Sequence, residues 1–144
     1  MELPKELSKL FERAHFDTYP IIKIPQEFSD ERGQIRNIAD GNLGDVAIIS
    51  SRKSSVRASH VHKNDWHLSY LISGLMEYTW SESLESKNFK KIVIEPSQLF
   101  YTPALVPHRM KFLKDSEFIA ISAFSRSQEN YETDTERLPD EFFN

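Results

Sequence analysis

Cysteine is absent from the 144 residues. That excludes a disulfide framework, a thiolate metal site and a cysteine nucleophile, and it fits a reducing, cytoplasmic setting. No run approaches the ~18–20 uninterrupted apolar residues that a helix needs to cross a bilayer, so no membrane span is expected. The start, Met1-Glu-Leu-Pro-Lys-Glu-Leu7, is charged and lacks the apolar core of a secretory signal. A surplus of positive charge is missing too: the formal net charge is −4. Binders of a nucleic-acid backbone usually carry such a surplus, so no nucleic-acid partner is expected. A local basic patch does exist, formed by Arg52, Lys53, Arg57 and Lys63. No repeat, linker or second domain is visible, and the length suits one domain over 1–144 with its own core.

What the chain has is a series of short strands. Residues 4–14 read first as an amphipathic helix, with Leu7, Leu10, Phe11 and Ala14 at helical spacing and Pro4 in the first turn. From about residue 20 to 124 the pattern changes to short β-type segments. They run Ile21–Ile24, Gln34–Ile38, Asp45–Ser50, Ser55–His62, Trp66–Ile72, Leu75–Trp80, Phe89–Ile94, Gln98–Thr102, Pro107–Leu113 and Glu117–Phe124. Gly, Pro, Asn and Asp punctuate them, which predicts an all-β sandwich or barrel. The tail, 125–144, is polar and acidic without clear periodicity, though Tyr131, Leu138, Phe142 and Phe143 are able to dock.

Histidine is used sparingly and in clusters. Of the five in the chain, His60, His62 and His67 fall close together, and His108 follows the turn Pro103-Ala-Leu-Val-Pro107. His15 stands alone and reads as an ordinary surface or core histidine. Side chains alternate along a strand, so His60 and His62 share a face. Arg57 has the opposite parity unless a backbone irregularity near Ser59 changes it. An antiparallel partner strand starting at Trp66 is expected to bring His67 across from His62. Clustered imidazoles repel when charged, so such a grouping points to chemistry: a metal site or a proton-transfer site.

At these residues the chain resembles a cupin. The first cupin motif has His-x-His, then a glutamate, then a glycine closing the next strand; the second has a proline-rich turn leading to a histidine. His60-Val-His62, His67 and Gly74 are similar to the first, and Pro103 through His108 to the second. The resemblance spans roughly Gly33 to Phe124 and implies a double-stranded β-helix, the cupin jelly roll. His67 stands where the family has its glutamate, and Asp65 lies too near His62 to match it. Within the cupins, Arg57-Ala-Ser-His60-Val-His62-Lys63 resembles the Arg-Gly-x-His-x-His-Lys string of nucleotide-sugar ketoisomerases, with Ala58 in place of the glycine. Its Arg-x-x-His core is similar to the sugar-nucleotide 3,5-epimerases, as is Asp30-Glu-Arg-Gly33 to their Asp-x-Arg-Gly opening. The resemblance implies an arginine on the nucleotide's phosphates and a histidine that takes a proton beside a keto group, generally without a metal.

Three classes of function follow. In the first, a divalent metal (Zn, Fe, Ni or Mn) is held by His60, His62, His67 and His108, in an enzyme of sugar-nucleotide or surface-polysaccharide metabolism. The abundance of imidazole favours it. In the second, a metal-free isomerase or epimerase uses His60 as base with His62 close behind. Tyr70, Tyr78 or Tyr101 is its acid, Tyr78 equally a substrate contact, and Arg57 and Lys63 hold the diphosphate. The third is a non-catalytic module that binds a sugar or other small molecule. The aromatics Trp66, Tyr70, Tyr78, Trp80, Phe100 and Tyr101 suit a carbohydrate pocket, but read first as core. A homodimer is expected in each case, since exposed sheet edges and the N-terminal segment invite pairing.

Overall fold

The computed structural model describes residues 15–144, so the helix expected over 4–14 lies outside the described residues. The chain opens with β1 (His15–Thr18), β2 (Ile21–Lys23) and the hairpin of β3 (Phe28–Asp30) and β4 (Gly33–Ile35). The body follows as β5 (Asp45–Ser51), β6 (Val56–His62), β7 (His67–Ser73) and β8 (Met76–Trp80). It closes with β9 (Lys90–Ile94), β10 (Leu99–Thr102), β11 (His108–Phe112) and β12 (Ser116–Ser122). The tail holds a short helix, α1 (Gln128–Asp134), a strand, β13 (Thr135–Arg137), and a 3-10 turn over Asp140–Phe143. No helix among the described residues is long and apolar enough to cross a membrane.

Two antiparallel sheets make the sandwich. One has six strands in the order β1-β2-β10-β7-β12-β5, the other five in the order β13-β6-β11-β8-β9. Apart from the β8–β9 hairpin, successive body strands alternate between the sheets, which is the jelly-roll arrangement. The expected pairing of β7 with β6 is therefore not found. β7 lies between β10 and β12, and the run 63–66 carries the chain from one sheet to the other. Gly74 serves the turn from β7 to β8, at φ +96°, where a Cβ would run into Ser116 Oγ.

Period-two alternation sorts the apolar side chains into two groups. Leu71, Met76, Tyr78, Phe100, Phe112 and Phe118 fill the space between the sheets. Leu68, Leu99, Tyr101, Ile121, Ile22 and Trp66 form a second cluster on the other face of the six-stranded sheet. Phe16, Ile24, Ile38 and Leu43 pack on that second cluster, so the N-terminal arm serves as its cover. Each fully buried Leu, Phe or Ile contributes roughly 1.5–3 kcal/mol relative to exposure. The histidines lie at one end of the sandwich, where Trp80 of the inner cluster stands opposite His108 in the ladder.

Candidate functional site

All four clustered histidines meet at one end of the sandwich. His60 and His62 come from β6 and His108 from the start of β11; His108 pairs directly with His60 across the strands. His67 begins β7 in the facing sheet and reaches His62 across the gap, ring centroids 4.5 Å apart. The His60–His62 and His60–His108 rings are 4.4 and 4.7 Å apart. All four are buried.

A β-bulge aims Arg57 at the same place. Ala58 and Ser59 both adopt left-handed backbone, φ 66° and 54°. His60 faces His108 and Ala58 faces Arg109, so Ser59 has no partner across the ladder. The extra residue reverses the alternation, and Arg57 turns to the histidine side. Its Nε donates to Ser51 Oγ at 2.6 Å and its Nη2 to the Ser50 carbonyl at 2.9 Å, which hold the guanidinium at the cavity wall.

The hydrogen bonds assign the tautomers. His108 Nδ1 donates to the Val106 carbonyl at 2.9 Å, which leaves Nε2 as the lone pair. His62 Nδ1 lies 3.3 Å from Asp134 Oδ2 and 3.3 Å from Thr135 Oγ1. A proton on Nδ1 therefore faces the carboxylate, and the buried Nε2 has no hydrogen-bond partner among the described residues. His60 Nδ1 is 3.4 Å from the Tyr131 hydroxyl. His67 Nε2 donates to Asp65 Oδ2 at 3.1 Å, while Asp65 Oδ1 accepts from the backbone N–H groups of Ala123 and Phe124. Burial pushes His62 down to about 4 and His108 down to about 3, and neighbouring imidazoles push the same way. His60 is lowered further, by burial first and then by His108 and His62. Burial works to raise Asp134, but hydrogen bonds from the Asp65 and Asn64 backbone and the Asn64 amide outweigh it and hold the carboxyl low. The set is thus three neutral imidazoles with an anion behind one of them.

This donor set fits a divalent metal in two overlapping ways. One ligand atom each from His60, His62 and His108 lies within 4.8 Å of the others, as does a second group of His62, Asp65 and His67. Ring nitrogens backed by a carbonyl, a carboxylate or a hydroxyl are the arrangement that orients histidine ligands. His67 stands in the second of these groups, with Asp65 and His62.

Several residues singled out in the sequence lie elsewhere. Tyr70 sits on the outer face of β7, where its hydroxyl accepts from Arg36 Nη2 at 3.3 Å. Tyr101 is in the outer cluster. Both were expected as acids, and strand alternation turns both away from the histidines. Tyr78 is buried in the core, with its hydroxyl bonded to Thr102 Oγ1 at 2.9 Å. Its ring lies 6.0 Å from that of His108, but it lines neither cavity at the site. Lys63 is exposed at the end of β6 and lines neither cavity.

The tail supplies what sequence reasoning missed. β13 pairs with β6, Thr135 opposite His62 and Arg137 opposite His60. Asp134 and Tyr131 are thereby brought over the histidines. Two cavities open there. One, about 490 Å³, lies between α1 and the loop after β12 and is walled by His62, Asn64, Phe124, Tyr131 and Asp134 among others. The other, about 130 Å³, enters the sandwich between Arg57, His60, His67 and His108. Tyr131 and Arg126 line both. The only signal in the sequence was a carboxylate and a phenol three residues apart in a tail without periodicity.

Fold and site together define a cupin-type jelly roll with a histidine-rich mouth. No protein-family model matches the chain, and no curated protein matches it in sequence. Solved structures do match its shape. The WlaRB TDP-quinovose 3,4-ketoisomerase from Campylobacter jejuni aligns at 19% identity and TM-score 0.68, covering 85% of this chain and 95% of that one. A dTDP-4-dehydrorhamnose 3,5-epimerase from Sulfolobus tokodaii aligns at 16% and 0.67, covering 91% and 84%. The sugar 3,4-ketoisomerase QdtA from Thermoanaerobacterium thermosaccharolyticum, solved in complex with TDP, aligns at 20% and 0.63, covering 87% and 93%. At these identities the likeness establishes the fold.

Proposed function

We propose that this chain isomerises or epimerises a keto sugar carried on a nucleoside diphosphate, with His62 as the base. One observation carries the reading: a buried imidazole has its Nδ1 on the Asp134 carboxylate and its Nε2 unpartnered, at the wall of the larger cavity. A fixed tautomer with its other nitrogen left free to take a proton is what a general base needs. The solved neighbours named as ketoisomerases and epimerases, one of them with TDP bound, support this substrate class.

The chemistry runs as follows. His62 Nε2 takes the proton from the carbon beside the ketone. The C–H pair moves into a carbon–carbon double bond and the carbonyl pair moves onto oxygen. The Tyr131 hydroxyl, beside His60, donates to that oxygen. Return of a proton to the opposite face of that carbon, with the hydroxyl proton going back to the Tyr131 oxygen, completes an epimerisation. Protonation of the former carbonyl carbon, with the neighbouring hydroxyl giving its proton to the Tyr131 oxygen, completes a ketone shift. Arg57 holds the diphosphate with the donors its serine contacts leave free. The base thus moves from His60, favoured in the sequence, to His62, because the carboxylate stands behind His62.

The test is proton exchange. TDP-4-keto-6-deoxyglucose is incubated with the protein in D2O and followed by NMR. Deuterium entering beside the ketone with the native chain, and none with His62→Ala, is expected. No exchange by the native chain, or undiminished exchange by His62→Ala, overturns the reading.

A second reading rests on the His60, His62 and His108 triad, whose ligand atoms lie within 4.8 Å of one another. These residues would hold a divalent metal, which when bound supplies a Lewis acid for a carbonyl or enolate oxygen. Metal content of the untagged protein by mass spectrometry tests it. About one equivalent that disappears in His108→Ala supports a metal centre. None after reconstitution with Zn, Fe, Ni or Mn removes it.

A further inference from the structure

The two cavities at the histidines differ in charge. The larger presents three carboxylates, Asp65, Glu129 and Asp134, against one cation, Arg126. That cation is already paired, with Asp45 Oδ2 2.9 Å from its Nε. The smaller presents Arg57, the same paired Arg126 and no carboxylate. A diphosphate in the larger cavity would face like charges, of which Asp65 is buried and so weakly screened. Hydroxyl groups have no such conflict. They donate to carboxylates and accept from amides, and the cavity offers both, with Asn64 and Asn130 beside the acids. Phe124 adds an apolar wall: its side chain is half exposed, although its backbone N–H is tied down by Asp65.

Size and contact agree with charge. At about 490 Å³ the larger cavity falls in the range of small-molecule sites, and the smaller, at about 130 Å³, is below it. His62 lines the larger cavity and not the smaller.

We propose that the cavity under α1 is the subsite for the uncharged, hydroxyl-bearing sugar ring, and that the diphosphate lies outside it, on Arg57 at the sandwich mouth. The inference rests on the nucleotide-sugar reading above and adds which half of the ligand each cavity takes. Tyr131 and Arg126, which wall both, mark the passage between the halves. The C-terminal segment, not the sandwich, then selects the sugar.

Calorimetric titration of the full chain with TDP and with TDP-glucose tests this. The native protein is expected to bind TDP-glucose about tenfold more tightly than TDP, the difference that one or two net hydrogen bonds supply. Asn130→Trp fills the larger cavity from an exposed helix position, so folding is spared; its melting temperature is checked alongside. It is expected to abolish the preference and leave TDP affinity within about twofold, the size of an ordinary rim effect. Phe124→Ala, also at an exposed side chain, is a second variant expected to reduce the preference alone. Arg57→Ala is expected to weaken both ligands at least about tenfold. Loss of TDP binding itself in Asn130→Trp would put the nucleotide in the larger cavity and overturn the inference while the nucleotide-sugar reading stands. Equal affinity of the native protein for the two ligands would overturn it likewise. Failure of the native protein to bind either ligand would sink the nucleotide-sugar reading, and the inference with it.

Discussion

The sandwich and the C-terminal strap, residues 127–143, both reach the histidines, but different forces hold them. Strands β6, β7 and β11 carry the four imidazoles, and their inward side chains continue into the packed interior. The strap has almost no interior. Helix α1 buries no residue, and β13 is a three-residue edge strand. What holds the strap is polar and local. The Asp134 carbonyl accepts from Lys63 N–H at 2.9 Å, its carboxylate takes Asn64 N–H at 2.8 Å, and Leu138 N–H donates to the Ser59 carbonyl at 2.8 Å. One buried ring, Phe143, anchors the far end against Phe89 and Arg109. The sandwich supplies the packed core and the four imidazoles; the strap brings a carboxylate against His62 and a phenol against His60.

The sharpest way to break that division is to change the strap's chemistry without touching the core. Asp134→Asn keeps the shape but removes the charge behind His62. Exchange activity should fall about a hundredfold, while the melting temperature stays within about 3 °C, as for a partly exposed polar change. A matching loss of stability would mean that Asp134 is structural. The reverse change is Phe112→Ala, in the fully buried layer against Phe118. It should cost about 3–5 kcal/mol in denaturant unfolding, against about 1–3 for Phe143→Ala at the strap. Equal costs would merge the two regions into one core.

Acidification separates the regions by a different route. In the unfolded chain the imidazoles take up protons near pH 6.5; in the folded one His62 does so only near 4 and His108 near 3. The unfolded state therefore binds more protons in that window. Stability is complete above about pH 6.5 and is lost as pH falls towards 4. A melting temperature about 5–10 °C lower at pH 5 than at pH 7.5 is expected, with His108→Gln shrinking the difference. No change across that range would contradict the burial of the cluster. The smallest effect belongs to the bulge. Ala58→Gly relieves a left-handed backbone at φ 66° and should raise stability by up to about 1 kcal/mol with Arg57 still in place. A loss of stability there would show that the methyl group packs.

The positions of the body strands along the chain were readable because half-buried strands announce themselves by alternation and by the turn residues between them. The four histidines were readable because they are few and spaced by strand parity. His67 illustrates the limit: it meets His62 as expected, yet from the opposite sheet, since a four-residue crossing looks like a hairpin turn in one dimension. Tyr70 and Tyr101 illustrate another. Tyr70 has the opposite parity to His67 on one strand, so its outward turn was readable, whereas β10 carries no histidine and the face of Tyr101 depended on the sheets' packing.

By itself, then, the sequence determined an all-β chain, a histidine cluster on β6 carried towards β11, and an arginine three residues before it. These follow from local rules: period, turn chemistry and residue scarcity. Only the tertiary structure decided that the Ser59 bulge swings Arg57 inward, that Asp134 backs His62 rather than His60, and that Tyr131 is the phenol at the site. Each of those depends on a contact between residues some seventy positions apart or on one unpaired residue in a ladder. A pattern of hydrophobicity carries no record of such contacts, because polar side chains on an exposed strap follow no period.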